Sequence, residues 1–263
     1  MIKREFKYNF KSFLAWLIIT ISVFLLVYLV YPTIIKGENI DMINQMMEMF
    51  PLEVLKAFNM DVASLDSAYG WIKSEGFIFI LLIISSYGAI LGSNILLKEE
   101  NDKTIEYLNS LPIKRKSIVL SRIIVGITYL LVFVFALGVF NFIALLFSGD
   151  FDKLQFVLLS ITPIFPSFVT FFLCMFISTF THKSKKMLGI GLGIVLVSYI
   201  LNAISSMSSS VEFVKYLSIF TLANTRNVII NNEINFTVII ISTCISLLFA
   251  FLIINRYNKK ELV

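Results

Sequence analysis

The chain is divided into long apolar runs at 13–30, 76–97, 118–147, 156–180, 187–207 and 236–254. Most are close to the ~20 residues a helix needs to cross a bilayer, and none carries an acid or base at its centre. Runs of this length constrain the fold tightly, because a segment in lipid must satisfy its own backbone groups. An outer-membrane barrel would show ~10-residue segments of alternating polarity instead. Composition agrees: 58% of the 263 residues are hydrophobic and 15% are charged, against ~25% charged in an ordinary soluble domain. The expected fold is an all-α membrane protein with six transmembrane helices and short interfacial amphipathic helices, forming one domain over 1–263. The N-terminus resembles a signal peptide only in its basic start. Its apolar run is too long and lacks a small-residue cleavage site, so a retained first helix is expected.

The bases set an orientation. Lys3, Arg4, Lys7 and Lys11 precede the first run, and Lys98, Lys103, Lys114, Arg115, Lys116 and Arg122 lie around the second polar connection. Lys183, Lys185, Lys186, Arg256, Lys259 and Lys260 fall on that same side. Only Lys36, Lys56, Lys73, Lys153, Lys215 and Arg226 fall on the other. The positive-inside rule places the first set, with both termini, in the cytoplasm. The net charge of +5 therefore reflects topology and anionic lipid, not nucleic acid. Arg122, one turn inside the third run, is expected to snorkel to the interface. Cys174 and Cys244 both fall in spans and read as packing residues, not as a disulfide.

Residues 1–12 carry Lys3, Lys7 and Lys11 one helical turn apart, with Ile2, Phe6 and Phe13 opposite. This pattern suits a short amphipathic helix on the inner leaflet. The outer insert 31–75 repeats apolar residues at i+3 and i+4 (Ile40, Ile43, Met47, Phe50, Val54, Phe58), and Pro51 suits the start of a second short helix. Segment 208–235 is too interrupted to span and suits interfacial or re-entrant helices. Ser85, Gly88 and Gly92 in the second span, and Gly189 and Gly193 in the fifth, have the small-residue spacing of close helix contacts. Pro163 and Pro166 predict an irregular turn in the fourth.

The informative polar stretch is "LLKEENDKTIEYLNSLPIKRKSIVL", which fills the connection 98–117. Glu99, Glu100 and Asp102 precede a helix-compatible segment, where acids favour the positive end of a helix dipole. Ile105, Leu108 and Leu111 share a face, and Thr104 and Glu106 lie elsewhere. Pro112 stops the helix, and Lys114, Arg115 and Lys116 follow at headgroup level. The expected object is a short amphipathic rod parallel to the membrane and tied to two spans. Glu99 and Glu100, adjacent and expected to be exposed, make no acid/base pair.

The pattern Glu100, Thr104, Glu106, Leu108, Pro112, Ile113, Arg115 resembles the coupling-helix signature of type-2 ABC exporter permeases. The outer "FPLEVLKAFNMD", the six-span layout and the basic start are similar to bacterial members. The family usually has glycine where Lys103 stands, and often leucine where Asn109 stands. The resemblance implies a permease subunit that works with a second, identical or homologous, permease subunit and with two copies of an ATP-binding cassette subunit. ATP and Mg would sit on those partners, with no cofactor in this chain. It also implies a bacterial cytoplasmic membrane, outward transport, and an ATPase-coupling interface at Glu100, Thr104, Ile105, Glu106, Leu108, Leu111, Pro112 and Arg115.

The residues themselves agree with a chain that hydrolyses no nucleotide. Its 11 glycines include no G-x-x-x-x-G-K-[ST] loop. His182, the one histidine, lies beside Lys183 and reads as a solvated loop residue, so no metal site is expected. Asp150 and Asp152 read as turn chemistry. Polar groups in the spans (Ser85, Ser86, Asn94, Asn141, Thr170, Asn202) have no base partner, which disfavours an intramembrane enzyme. A regulatory or immunity-type membrane protein without transport is the other alternative. Spans rich in Phe, Ile and Leu fit hydrophobic or amphipathic cargo, such as a peptide, toxin or drug.

Overall fold

A computed structural model describes residues 2–34, 45, 49–57, 67–110 and 112–260, and among these every regular element is helical. In chain order they are α1 (Ile2–Ile34), α2 (Leu52–Ala57), α3 (Ala68–Ile95), α4 (Lys98–Asn101), α5 (Ile105–Ser110) and α6 (Arg115–Ser148). Then come α7 (Lys153–Ile161), α8 (Ile164–Ser178), α9 (Ser184–Met207), two 3₁₀ segments (Ser209–Leu217 and Ile219–Ala223), α10 (Thr225–Asn231) and α11 (Phe236–Lys259). Among the described residues, six helices are long and apolar enough to cross a membrane: α1, α3, α6, the α7–α8 pair, α9 and α11. They coincide with the six apolar runs.

The basic N-terminal stretch differs from expectation. It is not a separate surface helix but the opening turns of α1, which runs unbroken for 33 residues. That is about 50 Å, against a hydrocarbon layer of ~30 Å, so α1 continues well past the bilayer. The cause is packing. Glu5, Asn9 and Phe13 are buried on one face of α1, while Lys3, Lys7 and Lys11 stay exposed on another. The Tyr129 hydroxyl of α6 donates to the Phe6 carbonyl at 2.6 Å, and Phe6 and Phe13 pack on the Tyr129 ring. Continuing the helix buries this face; bending it onto the membrane would expose it.

The tightest contact in the bundle joins α3 to α8. Gly88 and Gly92 let the two backbones meet: a Cβ on Gly92 would lie 2.3 Å from the Phe171 carbonyl oxygen, and one on Gly88 would lie 3.0 Å from that of Ser167. Ser85 is fully buried on the same helix. The Phe171 ring then turns into a notch on α6, where a Cβ on Gly126 would stand 2.2 Å from its Cζ. In α9 the contact residue is not Gly189 or Gly193. Neither has anything within 4 Å of a built Cβ; Gly191 instead packs on Ser93, Cys174 and Ala89. Two residues along a helix turn the side chain by ~200°, so only one of these two sets can face the bundle.

The fourth span breaks at Thr162–Pro163, as its prolines predict. Thr162 donates its hydroxyl to the Leu159 carbonyl at 2.9 Å, which satisfies an acceptor at the break. Asp152 caps α7 by accepting from the Leu154 and Gln155 amides, both at 3.0 Å. At this end of the bundle the 3₁₀ segments and α10 bury Phe220, Ala223 and Val228 against Phe77, Leu81 and Leu159. Segment 208–235 is thus a set of short helices held on protein. Of the outer insert, the helix expected after Pro51 is present as α2, with the Val54 amide bonded to the Pro51 carbonyl at 2.9 Å. Residues 35–44, 46–48 and 58–66 lie outside the described set, and with them the first of the two expected insert helices. Cys174 is buried and Cys244 exposed, and both are free thiols.

The polar connection 98–114 is more sharply bent than a single rod. Helix α4 ends in a left-handed residue, Lys103 (φ 55°). The Thr104 amide reaches back to the Glu99 carbonyl at 2.8 Å, which is the bond pattern of a Schellman cap. Glycine is favoured at that position because a Cβ is strained there. The glycine expected at this position from the family resemblance would suit this backbone geometry. Lys103→Gly is expected to raise thermal stability by about 1 kcal/mol, the cost of a left-handed non-glycine residue, as read from the unfolding midpoint in detergent. A second helix, α5, starts from Thr104, whose carbonyl accepts from the Leu108 amide at 3.2 Å, and it ends at Ser110, two residues before Pro112.

Candidate functional site

The connection 98–114 is anchored by apolar contacts on one side and by charges on the other. Ile105 and Leu108 are buried, at 5% and 2% exposure, in the main core with Ile95, Leu96 and Ile118. Thr104, Glu106, Ser110 and Pro112 are exposed. The eight residues expected at one interface therefore separate by role. Ile105 and Leu108 fix α5 to its own bundle, and Thr104, Glu106 and Pro112 offer a free face. Leu111 lies outside the described residues. Glu100 and Arg115, as shown next, point into the protein.

Glu99 and Glu100 are not exposed. Their side chains are 8% and 1% exposed. Being neighbours on a helix, they diverge by ~100° and enter two different charge clusters. Glu99 accepts a hydrogen bond from the Arg122 guanidinium and lies 3.5 Å from Arg4. Arg122 is wholly buried and does not snorkel. It donates to the Leu96 carbonyl at 3.3 Å and to the Tyr257 hydroxyl at 3.4 Å. Its Nε lies 4.0 Å from Glu5, which is also wholly buried. Glu5 in turn accepts from the Lys98 ammonium. Lys98 lies over the Tyr8 ring, 4.5 Å from its centroid, and the Tyr8 hydroxyl donates to Asp102 at 3.0 Å. This cluster joins α1, α4 and α6 and brings in the end of α11 through Tyr257. A buried charge persists only when paired, and here acids and bases alternate. Burial lowers the Lys98 pKa from its ordinary value, and the bond to Glu5 offsets part of that drop. A cavity of about 220 Å³ opens beside the cluster, lined by Arg4, Tyr8, Lys98, Glu99, Asp102, Thr104 and Leu108.

Glu100 enters the second cluster. It accepts from the Lys260 ammonium at 2.7 Å, and its other oxygen lies 2.5 Å from His182 Nδ1. Lys260 also donates to the Thr181 carbonyl at 2.8 Å. Arg115 closes the group by donating to the carbonyls of Lys260 (2.8 Å) and Asn258 (3.2 Å). Burial lowers the Lys260 pKa, again partly offset by its acid. His182 is half-exposed, as a loop residue, but it has a partner. These contacts gather the end of α11, the turn between α8 and α9, and the starts of α4 and α6.

Sequence reasoning missed Glu5 and Tyr257, and counted Lys98 and Lys260 only as bases that set the orientation. Glu5 left a signal: it is the one acid in the basic opening "MIKREFKYNF". Arg122 left another, as a single base inside an apolar run. Among the described residues no group of three His, Cys, Asp or Glu is placed to hold a metal ion. The arrangement has neither a nucleophile with an activating base nor an open metal position. It is suited to holding a short exposed helix rigidly against six long ones.

Neither the curated proteins nor the solved structures contain a match to this chain. A sequence model of the family described as "ABC-2 family transporter protein" matches residues 1–262. With six apolar helices, and with a family match spanning nearly its full length, the chain is a multi-pass membrane protein that belongs to the ABC-2 family of transporter permeases.

Proposed function

We propose that this chain is the membrane-spanning subunit of an ATP-driven exporter in a bacterial cytoplasmic membrane. In this reading the end bearing α4 and α5 faces the cytoplasm, with both termini. An ATP-binding cassette subunit, present in two copies, docks on the free face of α5, and a second permease subunit completes the pathway. ATP and Mg are handled on the cassette subunits. The observation that carries the reading is the two-sidedness of α5: Ile105 and Leu108 are locked into the core while Thr104 and Glu106 stand free, on a helix whose base is held by two buried charge clusters. A helix held so firmly passes a push to the spans instead of bending.

Hydrophobic or amphipathic cargo fits the apolar spans. An apolar recess of about 430 Å³ between α8, α9 and the 3₁₀ segments, lined by residues such as Leu173, Ile194, Val197 and Leu201, supports this class. Amphipathic peptides are expected to stimulate the ATPase of the reconstituted complex; stimulation by ions alone contradicts the cargo assignment.

The test of docking is retention of an ATP-binding subunit when the tagged chain is purified from its native membrane. Glu106→Arg leaves the core untouched and should reduce that retention by roughly tenfold or more, equivalent to ~1.4 kcal/mol of docking energy. Undiminished retention rules out α5 as the docking element.

A further inference from the structure

We infer that the neighbouring glutamates Glu99 and Glu100 tie the α4–α5 connection to two different parts of the bundle, so that Lys260, just past α11, and His182, in the turn between α8 and α9, act as positioning residues for it. The inference rests on the proposed reading only for what moves α5; the ties themselves belong to this chain alone.

The two sets of partners hardly overlap. Glu99 engages Arg122 of α6 and Arg4 of α1, and Lys98 beside it engages Glu5 of α1. Glu100 engages Lys260 just past α11 and His182 before α9. α1 packs chiefly on α6, and α8 on α3 and α11, while α11 also packs on α6, so the two anchor points lie in groups of helices that meet along the α6–α11 seam. Both glutamate side chains are nearly inaccessible to water, where a charge pair is screened little and holds its geometry. A displacement of α5 is thereby divided at α4: one acid draws on α1 and α6, the other on α11 and the α8–α9 turn. Lys260 is well placed for this. It follows the last turn of α11, is 7% exposed, and its backbone carbonyl is pinned by Arg115. The C-terminal end of the helix is thus locked to the start of α6 while its ammonium holds the connection. Ser184 reinforces the second route, because its hydroxyl bonds to Asn94 and its amide to Asn101 at 3.4 Å.

Pairs of spin labels on the full-length chain in lipid nanodiscs read the two ties independently. Cys244 is replaced by serine, and labels are placed at exposed sites: Glu106→Cys with Lys7→Cys reports the α1 route, and Glu106→Cys with Lys259→Cys reports the α11 route. Lys260→Met is expected to broaden the 106–259 distance distribution roughly twofold, as a freed side chain regains its rotamers, and to leave the 106–7 distribution unchanged. Arg4→Gln, at the half-exposed partner of Glu99, should do the reverse. Exchanging the charges with Glu100→Lys and Lys260→Glu together should restore the 106–259 distribution, which neither single change does. Equal broadening of both distributions by either variant, or no recovery on charge exchange, overturns the inference. No ATP-binding subunit is needed, so this outcome is independent of the docking test above.

Discussion

Arg122→Ala is expected to destabilise the protein by about 3–5 kcal/mol, the usual cost of removing one partner from a buried ion pair. Arg122 has no exposed surface, and its loss leaves Glu99 only the longer contacts to Arg4 and Lys98 and weakens the compensation of Glu5, both acids being buried. It also frees the Leu96 carbonyl and the Tyr257 hydroxyl that the guanidinium serves. Arg122→Lys should recover little, since one ammonium cannot reproduce a fork spread over three partners on different helices. The pair Arg122→Met with Glu99→Leu should be clearly less damaging than Arg122→Ala alone, because it removes both charges and keeps the volume filled. Thermal unfolding in detergent measures all three. A full-strength Arg122→Ala protein would show that the cluster is hydrated and not structural.

The second large effect is expected at Gly92. Gly92→Ala places a methyl 2.3 Å from the Phe171 carbonyl oxygen, and that obstacle is backbone, so it cannot swing aside as a side chain does. Separating α3 from α8 to make room disturbs the closest contact in the bundle and should cost about 1–3 kcal/mol, at the upper end or beyond. Gly126→Ala meets the buried Phe171 ring at 2.2 Å and should behave similarly. Gly189→Ala and Gly193→Ala meet nothing within 4 Å and should be neutral, or stabilising by up to ~1 kcal/mol through helix propensity. The contrast lies in the order of unfolding midpoints across the four variants. An equal loss at Gly189 would place an unseen packing surface on that face of α9.

The six spans were legible because a bilayer imposes one length and one polarity on any helix that crosses it, and those survive in composition alone. Pro163 and the trio Ser85, Gly88 and Gly92 were legible for a similar reason: missing amide hydrogens and missing side chains act locally. Choosing among Gly189, Gly191 and Gly193 was not possible from spacing, since that requires knowing which face of α9 meets α3. The charge clusters were the least legible part. Glu5 and Lys98 lie 93 positions apart, and Glu100 and Lys260 lie 160 apart, so no window along the chain contains both members of either pair. Without partners in view, Glu99, Glu100 and Arg122 read as surface groups. Once α1 and α11 converge on the connection, the same residues become its buried anchors. The polar pattern of the connection 98–117 was legible as a pattern, but not the division of its residues into anchors and exposed face.

In the proposed function, the free face of α5 receives force from an ATP-hydrolysing partner inside the cell. A photo-reactive amino acid placed at Glu106 in cells tests it directly. An adduct between this chain and an ATP-binding subunit is expected from position 106, and none from the buried position Leu108. Reaction of position 106 with a reagent confined to the cell exterior, or an irradiated sample in which no nucleotide-binding protein is captured, would contradict it.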